Sequence, residues 1–168
     1  MRVLGIDPGI SRTGWGVIAV QNSALRRSSG QEFRVQNYGC IETDAKEKVE
    51  KRLEEIYTEI LTLIEKYSPD ELAIEELFFN TNSKTAFVVG QARGVVLLAG
   101  AQKKIKIGIY TPLQVKIAVS GYGRAEKEQV GKMVKTILGL QSIPKPDDTA
   151  DALAVGLTHL FSRKINRL

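Results

Sequence analysis

Arg2-Val3-Leu4-Gly5-Ile6-Asp7-Pro8-Gly9 opens the chain with a short apolar run that stops on an aspartate and two strong turn formers. Such a run reads as a β-strand over residues 2 to 7, with a carboxylate held at its end. Outward from it, Trp15 to Val20 and Phe33 to Thr43 read as two further strands, and the polar stretch Gln21 to Gln31, with Arg26 and Arg27, as the exposed hairpin tip between them. The opening is therefore an antiparallel three-stranded meander. From Lys46 to Tyr67 the apolar residues Val49, Leu53, Ile56, Ile60, Leu63, Ile64 and Tyr67 recur every three or four positions, the period of an amphipathic helix. Pro69-Asp70 ends it. Glu71 to Glu75 is then a buried-type strand parallel to the first, because a helical crossover returns the chain to the same sheet.

Asn82 to Ala101 reads as a second helix rich in small residues, and Ile105 to Tyr110 as a third parallel strand. Thr111-Pro112-Leu113-Gln114 has the cap threonine, first-turn proline and returning glutamine of a helix start, and that helix runs to about Ser120. After Gly121-Tyr122-Gly123, Val130, Met133, Val134, Ile137 and Leu138 line one face of another helix, with Lys127, Lys132 and Lys135 on its other face. Asp148 to Phe161 reads as a final apolar helix. The expected fold is α/β: a mixed five-stranded sheet, three antiparallel strands then parallel strands, flanked by helices in one domain over residues 1–168.

Composition narrows the function. Of 168 residues, 43% are hydrophobic and 26% charged, near globular averages. No apolar run approaches the roughly 20 residues that span a bilayer, and no signal-peptide core fits before Asp7, so a cytoplasmic protein without membrane attachment is expected. The single cysteine, Cys40, and single histidine, His159, cannot supply an internal disulfide or a zinc site from soft ligands alone, so any metal must be held mainly by oxygen. Cys40 reads as a small core hydrophobe and His159 as a packed or capping residue. The net charge of +5 is skewed: twelve basic against fourteen acidic side chains through residue 102, then twelve against five. A basic C-terminal third points to a polyanionic partner.

Against that basic background stand acidic residues where a carboxylate is structurally costly. Asp7 and Glu75 each end an apolar strand, and the carboxyl ends of parallel strands form the natural ligand crevice of an open sheet. Asp148 and Asp151 lie three residues apart at the start of the last helix, on one face of its first turn. Singly, each has an ordinary explanation: a turn aspartate, a helix cap, a partner for the helix dipole, a lysine pair. Jointly they imply a cation or shared protons, since two like charges about 4 Å apart at an effective dielectric of about 20 repel by roughly 4 kcal/mol. Hard divalent ions suit such oxygens, Mg²⁺ foremost with Mn²⁺ as a substitute, and two ions per site would serve displacement at phosphorus. A basic protein with an acidic metal pocket reads as a nuclease.

Gly5-Ile6-Asp7-Pro8-Gly9 with Thr13-Gly14-Trp15-Gly16, Ile74-Glu75-Glu76-Leu77-Phe78, Gly90-Gln91-Ala92-Arg93-Gly94, Gln114-Val115-Lys116, Ala125-Glu126-Lys127 and Asp148-Thr149-Ala150-Asp151 together resemble the RuvC family, in order and spacing, over nearly the whole chain. The resemblance implies a ribonuclease H-like fold and a structure-specific endodeoxyribonuclease that resolves Holliday junctions by symmetric paired nicks, leaving 5′-phosphate and 3′-hydroxyl ends. It implies Asp7, Glu75, Asp148 and Asp151 as the catalytic, metal-binding residues, and Lys116 and Lys127 as contacts to junction phosphates. It also implies Phe78 as an aromatic that stacks on unpaired bases, a homodimer with the second helix at its interface, and coupling to the RuvA and RuvB branch-migration proteins. The rivals are an actin-like ATPase or sugar kinase, against which the length of one domain argues, and a junction-binding module or RNA-directed relative.

Overall fold

The computed structural model describes residues 1–21, 32–76 and 83–165. Its sheet is built from β1 (Arg2–Asp7), β2 (Arg12–Gln21), β3 (Glu32–Glu42), β4 (Glu71–Glu75) and β5 (Lys106–Tyr110), in the order β3-β2-β1-β4-β5. The first three strands pair antiparallel; β4 lies parallel to β1 and β5 parallel to β4. The expected α/β architecture is the one observed. Helices α1 (Val49–Tyr67) and α2 (Ser83–Gln102) cover one face of the sheet, and α3 (Pro112–Ser120), α4 (Lys127–Leu138) and α5 (Asp147–Ile165) the other. Among the described residues no helix is long and apolar enough to cross a membrane.

The period of two along the strands sorts side chains between two cores. Leu4, Ile6, Val17, Leu72 and Ile74 pack with Ile56, Ile60, Leu63 and Val96 of α1 and α2. Val3, Ile18 and Ala73 point the other way, into Leu153, Leu157 and Val134 of α5 and α4. By the same alternation Asp7 follows Val3 and Gly5, and Glu75 follows Ala73, onto the α5 face.

Local signals set the helix ends. Ser68 takes the left-handed conformation (φ 43°) that closes α1 before Pro69. Thr111 caps α3, its side chain accepting from Gln114 N–H at 3.1 Å while the Gln114 side chain accepts from Thr111 N–H at 2.8 Å. Three ends differ by three residues or more from the sequence expectation, the first being α1, which begins at Val49 rather than Lys46 because Lys48 is extended (ψ 147°) and caps it. β2 starts at Arg12 rather than Trp15, because the backbone ladder to β3 continues beneath a stretch with no apolar alternation, Arg12 to Gly14. α5 runs to Ile165, one turn past Phe161, although its apolar stripe has ended.

α5 crosses the sheet diagonally, from Asp148 over Gly14 of β2, past Ala152 and Gly156 over Gly5 of β1, to His159 over Gly108 of β5. Glycine permits this approach: a Cβ at Gly5 would be driven into the Ala152 carbonyl, and one at Gly14 into the Asp148 carbonyl. Backbone on both sides leaves no flexible side chain to yield. Gly14→Ala should therefore lift the start of α5 and lower stability by about 1 to 3 kcal/mol. Thermal melting checks this, and an unchanged melting temperature would mean that the helix start is not seated as described.

Candidate active site

The register Ile6↔Ile74 puts Asp7 and Glu75 side by side, one step beyond the last paired residues, at the carboxyl ends of β1 and β4. The turn after Asp7 is closed by the fully buried Thr13, whose hydroxyl donates to the Gly9 carbonyl at 2.7 Å. Glu75 is fixed through its backbone: Arg93 of α2 donates from Nε to its carbonyl at 3.2 Å, and Glu76 N–H donates to the Tyr110 carbonyl at 2.7 Å. The first turn of α5 supplies Asp148 and Asp151 from above the sheet. An open cleft of about 270 Å³ brings Glu75, Asp151, Lys116 and Lys127 onto one wall set, with Pro112 and Val115 of α3 and Val130 of α4.

The electrostatics match this crowding. Burial, then the charges of Asp151, Glu75 and Asp148, push the Asp7 pKa up to about 8 despite Lys127. Burial and the Asp151 charge push Glu75 up to about 7, with Lys127 and Lys116 acting in the opposite direction. Asp151 is also raised, chiefly by burial, although Lys127 opposes it. Burial alone would depress the Lys127 ammonium, but its hydrogen bond to Asp151 at 2.7 Å leaves its pKa raised. Asp148 Oδ2 is out of contact with solvent and accepts no hydrogen bond; Arg12 Nε stands 3.3 Å away, off the donor direction.

All four predicted carboxylates thus share one electrostatic neighbourhood, but two are tied to cations of this chain: Asp148 to Arg12 and Asp151 to Lys127. Among the described residues, no three Asp, Glu, His or Cys side chains are gathered closely enough to hold one metal ion as they stand. The donors nevertheless fit a hard divalent cation. They are carboxylate oxygens throughout; Asp7 and Glu75 have no ion-pair partner among the described residues; and Asp148 offers a buried oxygen without a hydrogen bond.

Lys116 and Lys127 both line the cleft, and Lys127, though exposed, turns its ammonium to Asp151. Phe78 and residues 22–31 lie outside the described residues. The sequence reading missed Arg12 and Arg93. Neither carries a local signal, because each acts on a residue far away in the chain. Cys40 is half-buried outside both cores, with its thiol pushed up to about 11 by burial and the Asp148 charge, so it is not the core hydrophobe expected.

Comparison with known proteins identifies the family. A protein of Caldicellulosiruptor saccharolyticus called crossover junction endodeoxyribonuclease RuvC is 55% identical over 162 residues, 96% of this chain and 93% of the relative. The Thermus thermophilus RuvC structure superposes with a TM-score of 0.87 at 37% identity, covering 99% of this chain and 97% of that one. T. thermophilus RuvC in complex with Holliday junction substrate superposes with a TM-score of 0.85 at 35% identity, over 98% and 96%. Residues 3–159 match the model of the crossover junction endodeoxyribonuclease RuvC family, and the chain belongs to that family.

Proposed function

We infer that this chain, acting in the cytoplasm as one nuclease domain, resolves Holliday junctions by paired symmetric nicks, with Mg²⁺ held by Asp7, Glu75, Asp148 and Asp151. The observation that carries this reading is the pairing of Asp7 and Glu75 on adjacent strand ends, each with a strongly raised pKa, under the helix that bears Asp148 and Asp151. Carboxylates so placed are stabilised by a cation and poorly stabilised without one. Bound there, a divalent ion supplies Lewis-acid stabilisation of the charge that develops on phosphate oxygens. The chain itself does the rest. Lys116 and Lys127, on the walls of the same cleft, neutralise backbone phosphates and make binding steeply salt-dependent. Asp7 and Glu75, on rigid strand ends, would hold that ion in a fixed place; water adds to phosphorus as the bond to the 3′ oxygen breaks and that oxygen takes up a proton, which gives 5′-phosphate and 3′-hydroxyl ends. Phe78, two residues beyond Glu76, is the aromatic proposed to stack on an unpaired base.

A four-way junction has approximate two-fold symmetry, which an isologous dimer matches with two sites in fixed relation. The support within this chain is α2, whose exposed Phe87 (67%), Gly94 and Leu98 (52%) fall at seven- and four-residue spacing on one face. An apolar stripe left in water on a helix marks an interface. Leu98→Glu should convert a dimer to a monomer in sedimentation and weaken paired nicking, whereas a wild-type monomer at micromolar concentration would refute the assignment. RuvA and RuvB remain the proposed partners in branch migration.

The deciding experiment incubates labelled four-way junction, linear duplex and RNA–DNA hybrid with the protein, with Mg²⁺ or with chelator. Paired nicks confined to the junction and lost on chelation are expected. Cutting of the hybrid instead would make the chain an RNA-directed relative, and binding without cutting a junction-recognition module.

A further inference from the structure

The active-site reading leaves one buried ionic cluster unused, at the opposite end of α5. His159 is 3% exposed and Glu71 6%. The imidazole Nδ1 accepts from the Tyr110 hydroxyl at 2.8 Å, and Nε2–H donates to the Glu71 carboxylate, whose other oxygen accepts from Arg163. Burial and the Lys106 charge keep the ring neutral, and these two partners select the tautomer with the proton on Nε2.

The spacing of this cluster from the carboxylates is the informative feature. Glu71 and Glu75 are four residues apart on β4, on one face and about 13 Å from each other. Asp151 and His159 are eight residues apart on α5, about 12 Å along the helix. On its diagonal course from β2 to β5, α5 meets β4 at two rungs: His159 bonds to Glu71 at one end, and Asp151 shares a cleft with Glu75 at the other. The first rung attracts. The second sets like charges together, and with Asp7 beside it favours sliding or tilting the helix away. Apolar contacts between α5 and the sheet are non-directional and resist a slide weakly. Directional hydrogen bonds at the far rung do resist it.

We propose that Glu71, His159 and Arg163 form an anchor that fixes the axial position of α5 and thereby holds Asp151 within metal-sharing reach of Glu75 and Asp7. They are positioning residues, touching neither substrate nor metal. A small displacement of a ligand-bearing helix is costly to function, since a misplacement of about 1 Å at a reacting centre costs up to roughly 100-fold. The inference rests on the proposed metal-dependent nicking, and the test separates the two.

Mn²⁺ binding is titrated by electron paramagnetic resonance, beside single-turnover junction nicking, for wild type, His159→Leu, His159→Gln, Arg163→Gln and the control Ile60→Ala. Ile60 is a buried residue of α1 packed on the other sheet face, so its truncation lowers stability without touching α5. For His159→Leu the Mn²⁺ half-saturation concentration should rise roughly tenfold and nicking fall by a similar factor, with junction affinity without metal within about twofold of wild type. His159→Gln, which keeps one donor and one acceptor, should recover most of both. Ile60→Ala should match the loss of melting temperature yet bind Mn²⁺ normally. Arg163, 30% exposed at its side chain, tolerates replacement and decides the question if His159→Leu does not fold. Variants that bind Mn²⁺ like wild type, or a control that loses affinity equally, would overturn the anchor. A wild-type protein that neither binds Mn²⁺ nor nicks would instead overturn the nuclease reading.

Discussion

Asp7→Asn should lower junction nicking by at least about 1,000-fold while leaving junction binding intact or tighter. The expectation follows from position. Asp7 ends the central strand β1, between β2 and β4, and the charges of Asp151, Glu75 and Asp148 all push its pKa up. With all three of the other carboxylates acting on it, Asp7 is the donor best placed to be shared between ions. Asparagine keeps the volume and one carbonyl oxygen but removes the negative charge that draws a divalent ion. Binding should survive because Lys116 and Lys127 are untouched, and a lost negative charge in a cleft that receives phosphates can only reduce repulsion. The comparison is single-turnover cleavage of labelled junction against a mobility-shift titration in chelator. Cleavage by Asp7→Asn within tenfold of wild type would move the chemistry away from this cleft.

Where chain punctuation and packing agree, the sequence is enough to read the fold. β1 begins and ends at Arg2 and Asp7 as expected, since Pro8-Gly9 cannot continue a strand, and β4 is likewise bounded by Pro69-Asp70 before it and Glu76 after. The candidate carboxylates were legible for a related reason: a charged residue ending a buried strand breaks the local rule and needs a cause. What could not be read is what depends on two distant segments meeting. Arg12 looks like an ordinary residue after a turn until Asp148 is placed above it by α5, and Arg93 like a helix surface cation until the Glu75 carbonyl is beside it. Lys127 sits on what the helical period marks as a solvated face, but it is the first residue of α4 and its long side chain reaches back to Asp151. Arg163 lay past the apolar stripe from which α5 was delimited, so its pairing with Glu71 was invisible.

The raised carboxylates also make the metal-free protein less stable as pH rises, the reverse of a fold held by paired acids. An unfolded chain releases the protons of Asp7 and Glu75 near pH 3.9 and 4.3. The folded chain keeps them until about 8 and about 7. Between these limits the native state binds more protons than the unfolded one, so the unfolding free energy falls with pH by up to about 1.4 kcal/mol per unit for each proton retained. The stability contribution is therefore complete below about pH 4 and lost as pH climbs through 7 and 8. From about pH 5 to pH 8 the metal-free protein should lose on the order of 6 kcal/mol, read as a falling midpoint in urea at constant slope. Asp7→Asn, with nothing to ionise at that position, should flatten most of this dependence and be the more stable protein at pH 8. Millimolar Mg²⁺ should do the same to wild type by binding only the folded, ionised cluster. A wild-type midpoint that rises across this range would show that the carboxylates are solvated and separate. The same charge that the chain would use to hold metal would then not be under strain without it, and the Asp7→Asn protein would lose activity with no gain in stability.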